Sequence, residues 1–451
     1  MSAWQDVVTA ALIGTERTGF PRPSVAGLPA PADAPDIPFP DYPVRDSPVR
    51  EDPAALLLDG AALQTVARRG GRLPERAEPL PVAEADPTPA VGQAPARRLD
   101  RLLTGEHPDL LAEWLAAAVA RGRRAPAALL PALLDRVRRV STSDPELRRL
   151  AAEAGGCRAR WLAGLNPDWK FVTAGSPAGE DAWQRGNAGQ RRAYLAALRA
   201  RDPGAGRDLV AASWDAAGPA ERVIFVKAMA SGLSLADEPQ LEMALDDPNA
   251  WVRKMAAEVL AGLPGSALGR RMAERARGCL RLHQGMRGTR LVIIPPAQCD
   301  AAMRRDGITP GLVAASSHPG GQTYRVVEVL ARTPLAAWTE GFGRPAGQIL
   351  AIPSGSWAPV LLDGWSRAAI AQRDQNWMTA LISRVLTDEP AGTPHWAETL
   401  RQLARQVDPG LGAPGIAVGR DGLSAPVQDA IRVLRFRYDM LKELDDDDSA
   451  G

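Results

Sequence analysis

The chain has little cysteine and no long apolar run. Its three cysteines, Cys157, Cys279 and Cys299, are odd in number and far apart, which argues against a disulfide framework or a structural zinc site and is typical of a reducing compartment. No stretch is apolar over the length of a bilayer, and residues 1–14 lack the basic and apolar regions of a secretion signal. We therefore expect a soluble cytoplasmic protein without a membrane partner.

Lysine is also scarce, since only four of the 54 basic residues are lysine. Arginine makes up the rest, and together with the abundant alanine this indicates coding bias as much as a need for guanidinium groups. The 53 acidic residues leave the chain nearly neutral, which is not the charge balance of a protein committed as a whole to nucleic acid or to an anionic membrane. Any partner recognised by charge must therefore contact a local patch.

Strong catalytic signatures are absent from the sequence. There is no GxxxxGK(S/T) phosphate loop, no HExxH, no GxSxG and no CxxC. The four histidines, His107, His283, His318 and His395, are scattered, and no two of them have ligand spacing on a helix. We expect no metal, no cofactor and no catalytic residues, and hence no enzyme.

One catalytic alternative remains, in which adjacent acids act as general acid and base. The sequence offers two such pairs, Asp237 with Glu238 and Asp246 with Asp247. Paired carboxylates act as general acid and base when their surroundings separate their pKa values. Each pair lies at a predicted helix boundary, however, where a carboxylate caps backbone amides and complements the helix dipole by about 0.3–1 kcal/mol. We interpret both pairs as helix caps.

Three stretches of the sequence repeat at an offset of 31 residues. The positions in register form three sets: Trp183, Trp214 and Leu245; Arg191, Arg222 and Arg253; and Leu198, Met229 and Leu260. A period of this length with helical spacing inside each unit is typical of stacked helix pairs. The pattern predicts an all-α protein, an α-solenoid of HEAT-like stacked helix pairs, with a proline-rich, partly extended N-terminal arm and a helical C-terminal region.

Residues 241–264 form the clearest repeat unit. Pro248 suits a tight turn between two helices, and Asp247 or Asn249 is placed to cap the second helix. An Asp in this turn followed six residues later by an Arg resembles the HEAT repeat, in which the two side chains form a ladder along the stack. We therefore predict a structural repeat ladder that involves Asp247 and Arg253.

Composition divides the chain into three predicted regions. Residues 1–98 contain an amphipathic helix that ends at Gly14 and a proline-rich arm with a helical island at 53–70. Residues 99–289 carry the HEAT-like helical repeats. Residues 290–451 form a C-terminal helical region, which begins with an apolar, extended run at 290–296 and ends with an acidic tail, Asp445 to Asp448, that we expect to be disordered.

Arginine is concentrated in residues 266–290, where Glu274 is the only opposing acid. Positions 270, 277 and 281 are close to one helix face, and positions 271 and 275 share another. The predicted positive ridge consists of Arg270, Arg271, Arg275, Arg277, Arg281, Arg287 and Arg290. Such a ridge is suited to phosphate or to an acidic protein surface, and the alternative is an ordinary solvated face.

Twelve tryptophans outnumber the six phenylalanines and four tyrosines. The two at matching repeat positions are interpreted as wedges between helix pairs. Trp161, Trp169, Trp251 and Trp377 have two interpretations. Exposed, they are anchors for a protein partner or stacking surfaces for bases, and otherwise they belong to the core.

Four segments resemble a bacterial protein family. They are WQDVVTAALIGTER at the start, NPDW at residues 166–169, LADEPQLEMALDD at 235–247 and CDAAMRRDGI at 299–308. On these segments the chain is similar from end to end to domain of unknown function 5691. Members are often encoded beside MoxR-type AAA+ ATPases, von Willebrand factor A proteins and SWIM-type zinc-finger proteins, so the resemblance implies a non-catalytic component of an ATPase-centred assembly.

Two functions remain open at this point. In the first, the protein is a non-catalytic scaffold or adaptor that binds another protein, such as an AAA+ ATPase or a von Willebrand factor A protein, along stacked helix pairs. In the second, it is a nucleic-acid-binding HEAT-like solenoid, extending to a DNA-repair enzyme, in which arginine contacts phosphate and tryptophan stacks on bases. The neutral charge balance favours the protein partner.

Overall fold

The computed structural model describes residues 3–15, 17, 52–70, 80–140, 145–173, 180–286, 288–308, 321–387, 396–410 and 423–449. Most of these residues are helical, so the predicted all-α, helical-repeat class is confirmed. The chain divides into two compact units, Met1–Val82 and Ala83–Gly451. Most of the predicted proline-rich arm lies outside the described residues. None of the described helices is long and apolar enough to cross a membrane.

The first unit has helices α1 (Ala3–Ile13) and α2 (Pro53–Gly70) in its described part, and they pack against each other. Val7 and Ala10 are buried on α1. Gly14 follows with a φ of 97°, and its amide donates to the carbonyl of Ala10 over 3.0 Å. A side chain is strained in this left-handed conformation, so glycine ends the helix as predicted.

The second unit is built from many short helices. They are α3 (Gln93–Leu103), α4 (Leu111–Ala120), α5 (Leu130–Val140), α6 (Pro145–Leu165), α7 (Glu180–Gln184), α8 (Ala188–Arg201), α9 (Pro203–Ser213), α10 (Pro219–Ala228), α11 (Glu238–Ala244), α12 (Ala250–Leu260), α13 (Ala267–Cys279), α14 (Ala301–Arg305), α15 (Gln322–Arg332), α16 (Ala336–Phe342), α17 (Ala346–Leu350), α18 (Ala358–Gln372), α19 (Gln375–Thr387), α20 (Trp396–Gln406) and α21 (Ala425–Ser449). Short 3-10 helices lie at Pro108–Leu110, Ala127–Leu129, Pro167–Val172, Leu235–Asp237 and Gly355–Trp357. Strands β1 (Leu280–Gly285) and β2 (Gly288–Ile293) form an antiparallel hairpin.

The predicted 31-residue repeat corresponds to α7 with α8, α9 with α10, and α11 with α12. The second helix of each unit follows an N-cap at Asn187, Gly218 or Asn249, which are 31 residues apart. Large apolar residues at or next to the ends of the first helices, including Trp183 and Trp214, contact one hydrophobic core. The helix pairs and their caps therefore repeat as predicted, but the third set of positions is not equivalent, because Leu198 is half-buried where Met229 and Leu260 are fully buried.

Later helices extend this packing in chain order. The contacts run from α8 to α10, α12, α15, α18, α20 and α21. Helix α21 also contacts α3 and α4, and α4 leads back to α8 through α6. The helix contacts of the second unit thus form a closed circuit, in which α21 joins two cores: Val427 and Leu434 lie in the core of the repeats, and Phe436 and Met440 in the core of α3–α6.

The expectation of a disordered acidic tail is wrong, because Asp445 to Asp448 belong to α21. Asp445 accepts a hydrogen bond of 2.8 Å from Nε of Arg121. Asp447 accepts one of 2.9 Å from the amide of Gly92, the N-cap of α3. These carboxylates pair with a cation and with a helix N-terminus, and they hold the end of α21 in place.

Helix α6 contains a bend that its sequence makes necessary. Gly156 has a φ of 62°, and a Cβ atom there would lie 1.8 Å from Oδ2 of Asp86. The same oxygen accepts the amide of Cys157 over 2.6 Å. Glycine is therefore required where Asp86 caps the second half of the helix.

Candidate partner-binding surface

The segment predicted to form the positive ridge folds as a helix followed by a hairpin. Helix α13 ends at Cys279, and the chain continues directly into β1. The prediction that Arg281 shares a helix face with Arg270 and Arg277 is therefore wrong. Apolar and polar residues alternate in the sequence LRLH of β1, and this spacing places the leucines on one side of a strand. The extended run predicted at 290–296 is present in β2, which ends at Ile293.

The hairpin has an apolar face and a basic face, because directly paired residues point to the same side of a sheet. The apolar face, which packs against the core, consists of Leu280, Leu282, Leu291 and Ile293. Arg281, His283 and Arg290 are exposed on the opposite face, where His283 pairs directly with Arg290. The buried leucines thus fix the register that displays these cationic side chains.

Arg277, in the last turn of α13 just before the hairpin, is also exposed. We refer to Arg277, Arg281, His283 and Arg290 as the basic hairpin surface. Among the described residues, no carboxylate lies within ion-pair distance of its three arginines. Met286 follows β1 and is fully exposed, so an apolar side chain adjoins the basic surface.

Two arginines of the predicted ridge are used inside the molecule. Arg271 donates to Asp306 over 2.7 Å and to Glu242 over 3.1 Å, and Arg275 donates to the same Asp306, which is 1% exposed. Burial lowers the pKa of Arg271, but its hydrogen bonds to Asp306 and Glu242 outweigh that effect and raise the pKa above its usual value. Acids of the same chain therefore neutralise both guanidinium groups, and neither charge is left for a partner.

The other two members of the predicted ridge are Arg270 and Arg287. Arg270 is exposed and donates to the carbonyl of Gly265 over 2.8 Å. Arg287 lies outside the described residues. Of the predicted ridge, only Arg277, Arg281 and Arg290 therefore belong to the basic hairpin surface. Arg270 is exposed earlier in α13.

The predicted ladder residues are joined, but not through their charges. Arg253 donates to the backbone carbonyl of Asp247 over 2.7 Å and to that of Pro248 over 2.9 Å. The carboxylate of Asp247 instead accepts from Arg222 of the preceding repeat over 2.9 Å and from the amide of Asn249 over 2.7 Å. The predicted carboxylate–guanidinium pair within one unit is thus replaced by a pair between successive units.

The structure contains buried arginines that connect neighbouring helices, and the sequence did not predict them. Arg199 has no exposed surface and donates to both oxygens of Asp237 over 3.0 Å, and to the carbonyls of Met229, Ser231 and Pro203. Arg437 of α21 donates to the carbonyls at the end of α20 and to Glu113 of α4. A guanidinium carries five donors, so one buried arginine satisfies several helix-end carbonyls and a carboxylate at once.

The two acid pairs are taken up in structural contacts. Asp237 accepts the amide of Ser234 over 2.9 Å, and Asp247 caps the turn before α12 as predicted. Glu238 accepts the amide of Ala267 at the start of α13. Asp246 differs from the prediction, since it forms a two-pronged ion pair with Arg305 at 2.6 and 2.9 Å. Within the described ranges, no cluster of three or more histidine, cysteine or acidic residues is arranged to hold a metal ion.

The tryptophans fall into both predicted groups. Trp183 packs against Phe225 with ring centroids 5.3 Å apart, and Trp377 is buried beside Trp365. Trp169 donates its indole N–H to Asp135 over 3.0 Å. Trp251 is half exposed, at 50%, and is the candidate anchor that the structure leaves at the surface.

Fold and surface together define an all-α helical-repeat protein whose charged side chains mainly connect neighbouring helices. Residues 6–407 match the model of a family of unknown function, DUF5691. The chain therefore belongs to this family. No curated protein and no solved structure matches it in the corresponding comparisons.

Proposed function

We propose that this protein is a non-catalytic helical-repeat scaffold that binds an acidic surface of another protein through the basic hairpin surface. The observation that carries the proposal is the exposure of Arg277, Arg281 and Arg290 without a carboxylate partner in the described ranges. Arg199, Arg271 and many other arginines of the chain are engaged with acids of the same chain. Exposed arginine beside an exposed methionine is typical of a protein interface.

A protein partner fits this surface better than nucleic acid. Proteins that bind duplex DNA commonly neutralise about 6–10 phosphates, whereas internal ion pairs withdraw Arg271 and Arg275 from the predicted ridge. Three exposed arginines on one helix–hairpin segment suit one acidic patch on a folded partner. The resemblance noted for the sequence suggests a MoxR-type AAA+ ATPase or a von Willebrand factor A protein as that partner.

A non-catalytic role is supported by how the acids are used. A general acid or base must be able to reach a substrate. Asp237 is fully buried beneath Arg199, and Asp247 is 5% exposed and bound by Arg222. Asp237 and Asp247 are therefore not accessible to a substrate and stabilise the stack of helices instead.

Affinity capture with the full-length protein tests the proposal at physiological salt. We expect the native protein to retain a specific protein partner and the variant carrying Arg281→Glu and Arg290→Glu to lose it, because charge reversal makes the surface repel an acidic patch. The control carries Arg158→Glu and Arg201→Glu, which change the net charge equally at exposed sites elsewhere. Equal recovery by both variants contradicts the proposal. Tight, steeply salt-dependent binding of a DNA duplex that depends on Arg281 indicates nucleic acid instead.

A further inference from the structure

The hairpin is a two-stranded sheet, so each of its strands has one edge that faces away from the other strand. Along an antiparallel strand, the backbone N–H and C=O point toward the neighbouring strand in one residue and away from it in the next. The pairing of the two strands begins where the amide of Ile294 donates to the carbonyl of Cys279 over 2.8 Å. Every second residue from this pair bonds inside the hairpin. Leu282 and Gln284 therefore direct their backbone N–H and C=O groups outward.

The two outer edges of the hairpin differ in how their backbone groups are used. On β2, the amide of Leu291, which pairs with Leu282 across the hairpin, donates outward to the carbonyl of Pro353 over 2.9 Å. On β1, no described residue forms a hydrogen bond with the backbone of Leu282 or Gln284. Leu282 is half-buried and Gln284 is exposed. An open strand edge of this kind, with unpaired donors and acceptors, is a template for another strand.

The side chains of β1 determine what kind of strand fits its open edge. Residues directly opposite each other on adjacent strands share a face of the sheet. A strand paired with β1 would place alternate side chains beside Arg281 and His283 on the exposed face. The side chains between them would lie beside Leu282 on the apolar face. Acidic side chains suit the first set by charge, and apolar side chains suit the second, because Leu282 keeps part of its surface exposed.

We propose that the protein partner contributes an extended segment of alternating acidic and apolar residues, which adds to the open edge of β1 as a third strand. The inference rests on the proposed function, since the basic hairpin surface is what requires the partner to be acidic. Main-chain hydrogen bonds to Leu282 and Gln284 supply affinity in this mode of binding, and alternate side chains supply specificity. A second copy of this chain fits the edge poorly, because the arginines of both copies would share one face of the joined sheet.

Fluorescence anisotropy of labelled peptides tests the proposal with the full-length protein. The probe is the peptide Glu-Val-Glu-Val-Glu-Val, capped at both ends. The reference peptide, Glu-Glu-Glu-Val-Val-Val, has the same composition and charge without the alternation. We expect saturable binding of the probe, at least about tenfold tighter than binding of the reference, because only the alternating peptide places all its acids on one face of a strand.

Gln284→Pro tests the edge itself. Proline has no N–H to donate and its ring occupies the space of an added strand, yet an outward-facing position on an edge strand tolerates it. The matched variant Gln284→Ala loses the same side chain but keeps the backbone donor. We expect the alternating peptide to bind Gln284→Pro about tenfold more weakly than Gln284→Ala. If Gln284→Pro does not fold, hydrogen exchange of the native protein takes its place, and the peptide should slow exchange at the amides of Leu282 and Gln284.

Failure of this inference is distinguishable from failure of the proposed function. If the variant with Arg281→Glu and Arg290→Glu loses its captured protein partner while Gln284→Pro retains it, the basic hairpin surface stands and strand addition is overturned. Strand addition is also overturned by the absence of saturable peptide binding, by equal binding of the two peptides, or by equal affinities of Gln284→Pro and Gln284→Ala for the probe. A dimer of the native protein that Gln284→Pro dissociates assigns the edge to a second copy instead, which overturns the proposal as well.

Discussion

Replacing Arg199 with alanine should destabilise the repeats strongly. Arg199 lies near the end of α8, contacts carbonyls at the end of α10 and pairs with Asp237 just before α11. Removing one partner of a buried ion pair costs about 3–5 kcal/mol. Because Arg207 and the amide of Ser234 still donate to Asp237, we expect about 3 kcal/mol from this pair. The carbonyls that lose a donor add about 1 kcal/mol.

Urea unfolding followed by circular dichroism measures this loss. The urea slope of a unit this large exceeds the value of about 3 kcal/mol per molar at the top of the range for small proteins, so a loss of about 4 kcal/mol lowers the midpoint by about 1 M. The matched control is Arg201→Ala, since Arg201 is exposed on the same helix and should change stability by less than about 0.5 kcal/mol. A midpoint for Arg199→Ala equal to that of Arg201→Ala refutes the role of Arg199 as a clamp between repeats.

Three further predictions concern α21, Glu328 and the hairpin. Arg437→Ala should lower the thermal midpoint by several degrees, because it removes the buried link from α21 to Glu113 of α4; an unchanged midpoint argues against closure of the helix circuit. Burial raises the pKa of Glu328, but the charges of neighbouring arginines outweigh that effect and lower the pKa from its ordinary 4.5 on folding, so its stabilisation is present above that pH and is lost as the pH falls. Glu328→Gln should therefore flatten the loss of unfolding free energy measured from about pH 6 to about pH 3; an equally steep curve contradicts this. Arg281→Glu should leave the urea midpoint nearly unchanged, since the side chain is exposed; a large shift places Arg281 in the fold rather than at an interface.

The helical class and the repeat were predictable because apolar spacing and caps are local features of sequence. Asn249 and Pro248 mark the turn before α12 whatever lies elsewhere in the chain. The same reasoning places Gly14 at the end of α1. Such signals depend on a few neighbouring residues, so one sequence suffices to interpret them.

The partners of charged residues were not predictable, because they come from distant parts of the chain. Asp445 and Asp447 look like a solvated tail, yet they contact Arg121 and Gly92 more than 300 residues away. The abundance of arginine, attributed in part to coding bias, has a structural use in clamps such as Arg199. The hairpin was not predicted, because its strands are short and no turn residues separate β1 from the end of α13.

The affinity of a purified partner for the charge-reversed variants tests the central claim most directly. We expect the variant with Arg281→Glu and Arg290→Glu to bind about tenfold more weakly or worse, and the one with Arg158→Glu and Arg201→Glu to bind as the native protein does. Equal affinities for the two variants contradict the assignment of the basic hairpin surface as the docking site.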